Sequence, residues 1–157
     1  MNDLKRLLVE DHALLDRQLA QLAQAVEADD CPADLLECWT RFEAGLRDHL
    51  DTEERCLFPA AGPEHREQVE GLRAEHRRIR HTLQELGVAL ELHTLRKPSV
   101  DELITFLREH AEREKQTLYA WLEEPGNAGA RHGLLAMFER RSKAPFVEHA
   151  EPVSHVR

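Results

Sequence analysis

Leucines recur at helical spacing from the start of the chain, where Leu4, Leu8, Leu15, Leu19 and Leu22 form one stripe with charged residues between them. The stripe predicts an amphipathic helix from Asn2 or Asp3 to about Ala28. Asp29, Asp30, Cys31 and Pro32 end it and open a second helix, since proline is tolerated at a first helical position, and this one runs to about Leu57. Pro59, Gly62 and Pro63 break the chain again. A third helix is expected from about Glu64 to His93, with Val69, Leu72, Ile79, Leu83, Leu86 and Leu90 on its apolar face and Gly71 and Gly87 weakening it slightly. Arg96, Lys97 and Pro98 mark the third turn, and Ser99 followed by Glu102 reads as a capping box that opens a fourth helix, ending near Glu124.

Four helices joined by short turns must run up, down, up and down, so an all-α antiparallel four-helix bundle is predicted over residues 1–124. Pro125, Gly126, Asn127 and Gly129 follow the bundle. Residues 125–157 then hold a short fifth helix, Ala130 to Arg141, which would cover one end, and a tail from Ser142 to Arg157.

Composition narrows the function. With 157 residues, of which 41% are hydrophobic, the chain can build one core. Thirty acidic residues against 21 basic ones give a formal charge of −9, a surface expected to repel nucleic acid and anionic lipid. The amino terminus, with Asp3, Lys5, Arg6, Glu10 and Asp11, contains no apolar run long enough for a signal peptide or membrane span, and a cytoplasmic protein is expected. Cys31 and Cys38 would stand about 10 Å apart along a helix, too far for a disulfide, which points to a reducing compartment.

Histidine changes the picture most, because the chain has ten and four of them continue the apolar stripes. His12 lies between Leu8 and Leu15, His49 follows Phe42 and Leu46, His76 lies between Leu72 and Ile79, and His110 follows Leu103 and Phe106. The second and fourth predicted helices also share an H-x-x-x-E pattern, His49 with Glu53 and His110 with Glu114. Four residues advance a helix by about 400°, so each pair points one way, about 6 Å apart along the axis. One such pair is ordinarily a surface contact. Four inward histidines with two carboxylates are costly to bury unless a cation is shared among them.

Heights along the bundle offer a separate check. Measured from the first turn, His12 and His49 are each about 18 residues away, which sets them side by side. Counting from the second and third turns brings Glu53, His76, His110 and Glu114 to the same level within about two helical turns.

In this order, His12, His49 with Glu53, His76, and His110 with Glu114 resemble the hemerythrin-like HHE cation-binding family over about residues 1–124. The stretch Glu53-Glu54-Arg55-Cys56-Leu57-Phe58-Pro59 is also similar to that family's usual second-helix end. The resemblance implies a four-helix bundle carrying two iron ions, oxo- or hydroxo-bridged. His12, His49, His76 and His110 would be terminal ligands, and Glu53 and Glu114 bridging carboxylates. Imidazole and carboxylate alone would also suit zinc or manganese. With both carboxylates bridging, coordination positions remain for a small ligand such as dioxygen, nitric oxide or peroxide.

The chain departs from the oxygen-carrying members in two places. Arg80 stands where those proteins add a fifth histidine, and Glu114 follows His110 by four residues rather than five. Simple oxygen carriage is therefore not expected. A centre that reacts with or senses a small oxidant, in stress response or iron-centre protection, is the leading expectation. An iron-sensing or iron-holding module without turnover is the alternative.

Several neighbours have competing readings. Asp16 could complete the site or orient an imidazole, or lie on the solvated edge. His81 falls one position past the missing ligand and points away. Cys56, near Glu53, reads as core filler or as a redox-sensitive neighbour of the metals. Trp121 should close the core, and Tyr119 should face away from the site. Leu8, Leu46, Leu72, Ile79 and Phe106 would wall the centre off from water. Asp11, Asp48, Glu75 and Glu109 each precede a ligand histidine and read as a solvated flank. His65, His93, His132, His149 and His155 fall in turns, helix ends or the tail.

Overall fold

The fold is taken from a computed structural model that describes residues 3–28 and 32–143. Five α-helices carry the fold: α1 (Asp3–Glu27), α2 (Pro32–Thr52), α3 (Arg66–Glu91), α4 (Lys97–Glu123) and α5 (Ala128–Lys143). Cross-helix contacts set α1 and α4 antiparallel and tie α2 to α3. On α1 and α4, Lys5 pairs with Glu123 and Asp16 with Arg108. Between α2 and α3, Asp51 and Glu54 both meet Arg80. Among the described residues no helix is long and apolar enough to cross a membrane.

The stripes set the packing. Every predicted apolar position of the first and third helices is buried, from Leu4 to Leu22 and from Val69 to Leu90. Burying a leucine removes enough apolar surface to contribute about 1.5–3 kcal/mol, so these faces fix which way each helix turns. The core has two halves. One, around Trp39, Phe42, Leu83 and Leu103, fills the end near the first and third turns. The other, around Leu4, Leu8, Leu72, Leu118 and Trp121, is closed by Ala130, Leu134 and Met137 of α5, as expected for a helix covering one end. The inward histidines and glutamates lie on the same faces between these halves.

Helix boundaries differ from the sequence reading where proline acts. The second helix does not stay α-helical to Leu57, because Glu53–Leu57 forms a π-helical turn and Phe58–Ala60 a 3₁₀ turn. Pro59 has no N–H, and its ring would clash with the carbonyl four residues back, that of Arg55. Widening the helix, so that the Phe58 N–H bonds the Glu53 carbonyl, relieves that conflict. The capping box at Ser99 is not formed. Helix α4 starts at Lys97 with Pro98 in its first turn, whose fixed φ already suits a helix start, and Arg96 caps it without a side-chain bond. Pro63–His65 makes a 3₁₀ turn before α3, and His93 leaves its far end at φ 55°, a left-handed conformation more usual for glycine. Helix α5 is longer at both ends than the predicted fifth helix. Cys31 and the tail beyond residue 143, with His149 and His155, lie outside the described residues.

Candidate metal centre

All six predicted site residues meet between the two halves of the core. Their inward atoms form two overlapping groups of four, His12, His49, Glu53 and Glu114 on one side and Glu53, His76, His110 and Glu114 on the other. Both glutamates belong to both groups. His12 Nε2 lies 3.1 Å from His49 Nε2 and 3.1 Å from Glu114 Oε2, and His49 Nε2 lies 3.2 Å from Glu53 Oε1. On the other side His76 Nε2 is 3.4 Å from Glu53 Oε2 and 3.7 Å from Glu114 Oε1, while His110 Nε2 is 2.6 Å from that same oxygen. The H-x-x-x-E spacing does what it predicts, bringing each histidine onto its own helix's carboxylate.

Carboxylates on neighbouring helices fix the ring orientations. His49 Nδ1 donates to Asp11 Oδ2 at 2.7 Å, His76 Nδ1 to Glu54 Oε1 at 2.9 Å, and His110 Nδ1 to Glu75 Oε2 at 2.5 Å. With the hydrogen on Nδ1, each ring turns its Nε2 lone pair inward. Two of these clamps are themselves held, Glu54 by Arg80 at 2.7 Å and Glu75 by Arg113 at 2.5 Å.

The reading of acids before the ligand histidines as a solvated flank is therefore corrected for Asp11 and Glu75. Each serves the histidine of the next helix rather than the one beside it in sequence. Glu109 is exposed, as that reading expects, and Asp48 is half-buried.

The inward atoms suit a cation. His76 Nε2, His110 Nε2, Glu53 Oε2 and both carboxylate oxygens of Glu114 are buried without a hydrogen-bond partner among the described residues. Glu53 and Glu114 are 1% and 0% exposed, and burying an uncompensated carboxylate costs several kcal/mol. Without metal, protons offset that charge. Burial opposes protonation of His110, but the charge of Glu114, 2.6 Å away, and the hydrogen bond to Glu75 outweigh it and raise its pKa to about 10. The same contest leaves His49 well above the ordinary imidazole value, through Glu53 and Asp11, and His76 above it, through Glu114 and Glu53. Burial would raise Glu114, but His110, with His12 and His76, holds it well below the usual carboxylate range. Divalent cations can take over the role of these protons at the same lone pairs.

The weaker candidates now have places. Asp16 is taken by Arg108, in a two-pronged pair at 2.6 and 3.0 Å on the rim of the site. Arg80, at the position of the missing fifth histidine, points to Glu54 and Asp51. His81 is exposed and pairs with Glu85, so it takes no part. Cys56 is half-buried and packs against α5, where Gly133 is required because an added Cβ would lie 2.7 Å from its Sγ. Trp121 closes the core and stacks on His65 at 4.6 Å. Leu8, Leu46, Leu72 and Ile79 are buried as expected, whereas Phe106 is only partly buried and lies under Arg78, 4.1 Å from its ring. Tyr119 is buried, its hydroxyl has no hydrogen-bond partner among the described residues, and burial with the charges of Glu114, Glu53 and Asp11 pushes its pKa above the ordinary phenol value.

One cavity reaches the centre. It occupies about 410 Å³ between α1 and α4, with His12, His49 and His110 on its inner wall and Leu15, Leu19, Leu46 and Leu50 along its sides. Asp16 and Arg108 also line it, at the exposed rim.

Comparison with curated proteins and with solved structures returns no match. The family profile described as the Hemerythrin HHE cation binding domain matches residues 3–122, a span that takes in all six converging residues. The chain thus belongs to the hemerythrin HHE cation-binding family.

Proposed function

We propose that this protein holds two iron ions and binds or reacts with a small oxidant, such as dioxygen, peroxide or nitric oxide. The observation that carries the reading is the sharing of Glu53 and Glu114 between two four-residue groups, a donor set suited to two adjacent cations and poorly suited to one. His12, His49, His76 and His110 would be terminal ligands, with both glutamates bridging. Bound iron would supply the electron transfer and Lewis acidity that these side chains lack.

The chain's own residues do the rest. Asp11, Glu54 and Glu75 keep three rings in the tautomer that presents Nε2 to the centre. Leu8, Leu72 and Ile79 exclude bulk water, and the α1–α4 cavity gives a small molecule an apolar way in. A role in stress response, sensing or iron-centre protection fits a reactive site with Arg80 in place of a further ligand. Peroxide consumption by the iron-loaded protein, measured against Glu114→Ala, tests the reading. Turnover lost in the variant supports it, and no turnover by fully iron-loaded protein would instead assign it to an iron-sensing or iron-holding module.

A further inference from the structure

The two halves of the bundle repeat one arrangement. In the first, Asp11-His12 is followed by His49 and Glu53-Glu54, and in the second, Glu75-His76 is followed by His110 and Glu114-Lys115. The acid before the first histidine of each half clamps the second histidine of that half, Asp11 on His49 and Glu75 on His110. The residue after each bridging glutamate should then serve the first histidine of the other half. Glu54 does so for His76. The matching residue for His12 is Lys115, whose ammonium carries only donors and cannot accept from an imidazole N–H.

His12 shows the consequence. Its Nδ1 is buried with no hydrogen-bond partner among the described residues, while the other three ligand candidates all have a carboxylate there. Its side chain is also the most open of the four, at 14% against 2% for His49, 0% for His76 and 4% for His110. His12 and Lys115 both line the α1–α4 cavity.

We propose that the two metal positions are unequal and that Lys115 sets the difference. This inference rests on the two-metal reading above. The position made by Glu53, His76, His110 and Glu114 fills first and retains its ion. The position made by His12, His49, Glu53 and Glu114 fills second and exchanges its ion through the cavity. A carboxylate behind a ligand imidazole fixes the ring and raises its basicity, and losing such a partner weakens metal binding about 10–100-fold. Lys115 lines the same cavity as His12, with its ammonium 3.5 Å from Glu112.

The test is a titration of the metal-free full chain with Co²⁺, followed by visible absorption and calorimetry. Wild-type protein should bind two equivalents in two steps whose Kd values differ by about tenfold or more. Lys115→Glu, on a side chain 44% exposed and so tolerant of change, should tighten the second step about tenfold and leave the first in place. His12→Gln should remove the second step alone. Two equivalents taken up in a single wild-type step, or a second step unmoved by Lys115→Glu, would overturn the inference while leaving the two-metal reading intact. Fewer than two equivalents bound by wild-type protein would overturn that reading itself.

Discussion

Glu75 on α3 accepts a hydrogen bond from Nδ1 of His110 on α4 at 2.5 Å, and Arg113 holds the same carboxylate from the other side. This contact positions an inward imidazole from a neighbouring helix, so it should matter for metal affinity more than for the fold. Glu75→Ala is expected to weaken binding of the first metal ion about 10–100-fold while far-ultraviolet dichroism stays helical. Equilibrium titration of the variant against wild type measures it, and unchanged affinity would show that Glu75 only decorates the surface.

Metal loading should release protons. His110, with a pKa of about 10 in the metal-free protein, is protonated at pH 7, and His49 and His76 are shifted upward in the same direction by their carboxylate neighbours. Metal ligation requires neutral imidazole. Full loading at pH 7 is expected to release protons, that of His110 among them, and affinity should rise with pH up to about 10 as that proton becomes easier to remove. Calorimetry in buffers of different ionisation enthalpy counts them. Loading without proton release would mean that the imidazoles are already neutral.

The metal-free protein carries its own pH dependence. A pKa of about 10 for His110 in the folded chain, against about 6.5 unfolded, means that the folded state binds the proton more tightly. The stabilisation is full below about pH 6.5, declines as pH rises, and is lost above about pH 10. Denaturant unfolding of apoprotein should therefore give a lower midpoint at pH 9 than at pH 6, and Glu114→Gln, which removes the charge responsible, should flatten that slope.

The rim of the cavity gives a prediction about access. Asp16 and Arg108 form an exposed pair between α1 and α4, and such pairs contribute about 0–1 kcal/mol. Arg108→Ala should leave the melting temperature within about 2–4 °C of wild type, yet speed the binding of azide to the iron-loaded protein. Stopped-flow absorption reads the rate, and an unchanged rate would place the entrance elsewhere.

The sequence made some features legible and hid others for definable reasons. Leu8, Leu15, Leu72 and Ile79 show which way α1 and α3 turn, and His12 and His76 continue those stripes, so the ligand candidates could be read from spacing within single helices. Turn arithmetic then placed His12 beside His49, where the two Nε2 atoms lie 3.1 Å apart. The clamps were not legible in that way, because Asp11 and Glu75 act on the next helix and their value depends on how two helices are rotated against each other. The signal for them was an acid beside each inward histidine, which local geometry alone assigns to solvent. The π turn at Glu53–Leu57 precedes Pro59, two residues beyond a stretch that reads as uninterrupted helix to Leu57.

Metal content per chain, together with the near-ultraviolet spectrum of protein purified in air after iron-replete expression, tests whether two cations sit between Glu53 and Glu114. About two irons per chain and an oxo-to-iron charge-transfer band are expected. Zinc alone, or no bound metal, would contradict the two-iron reading.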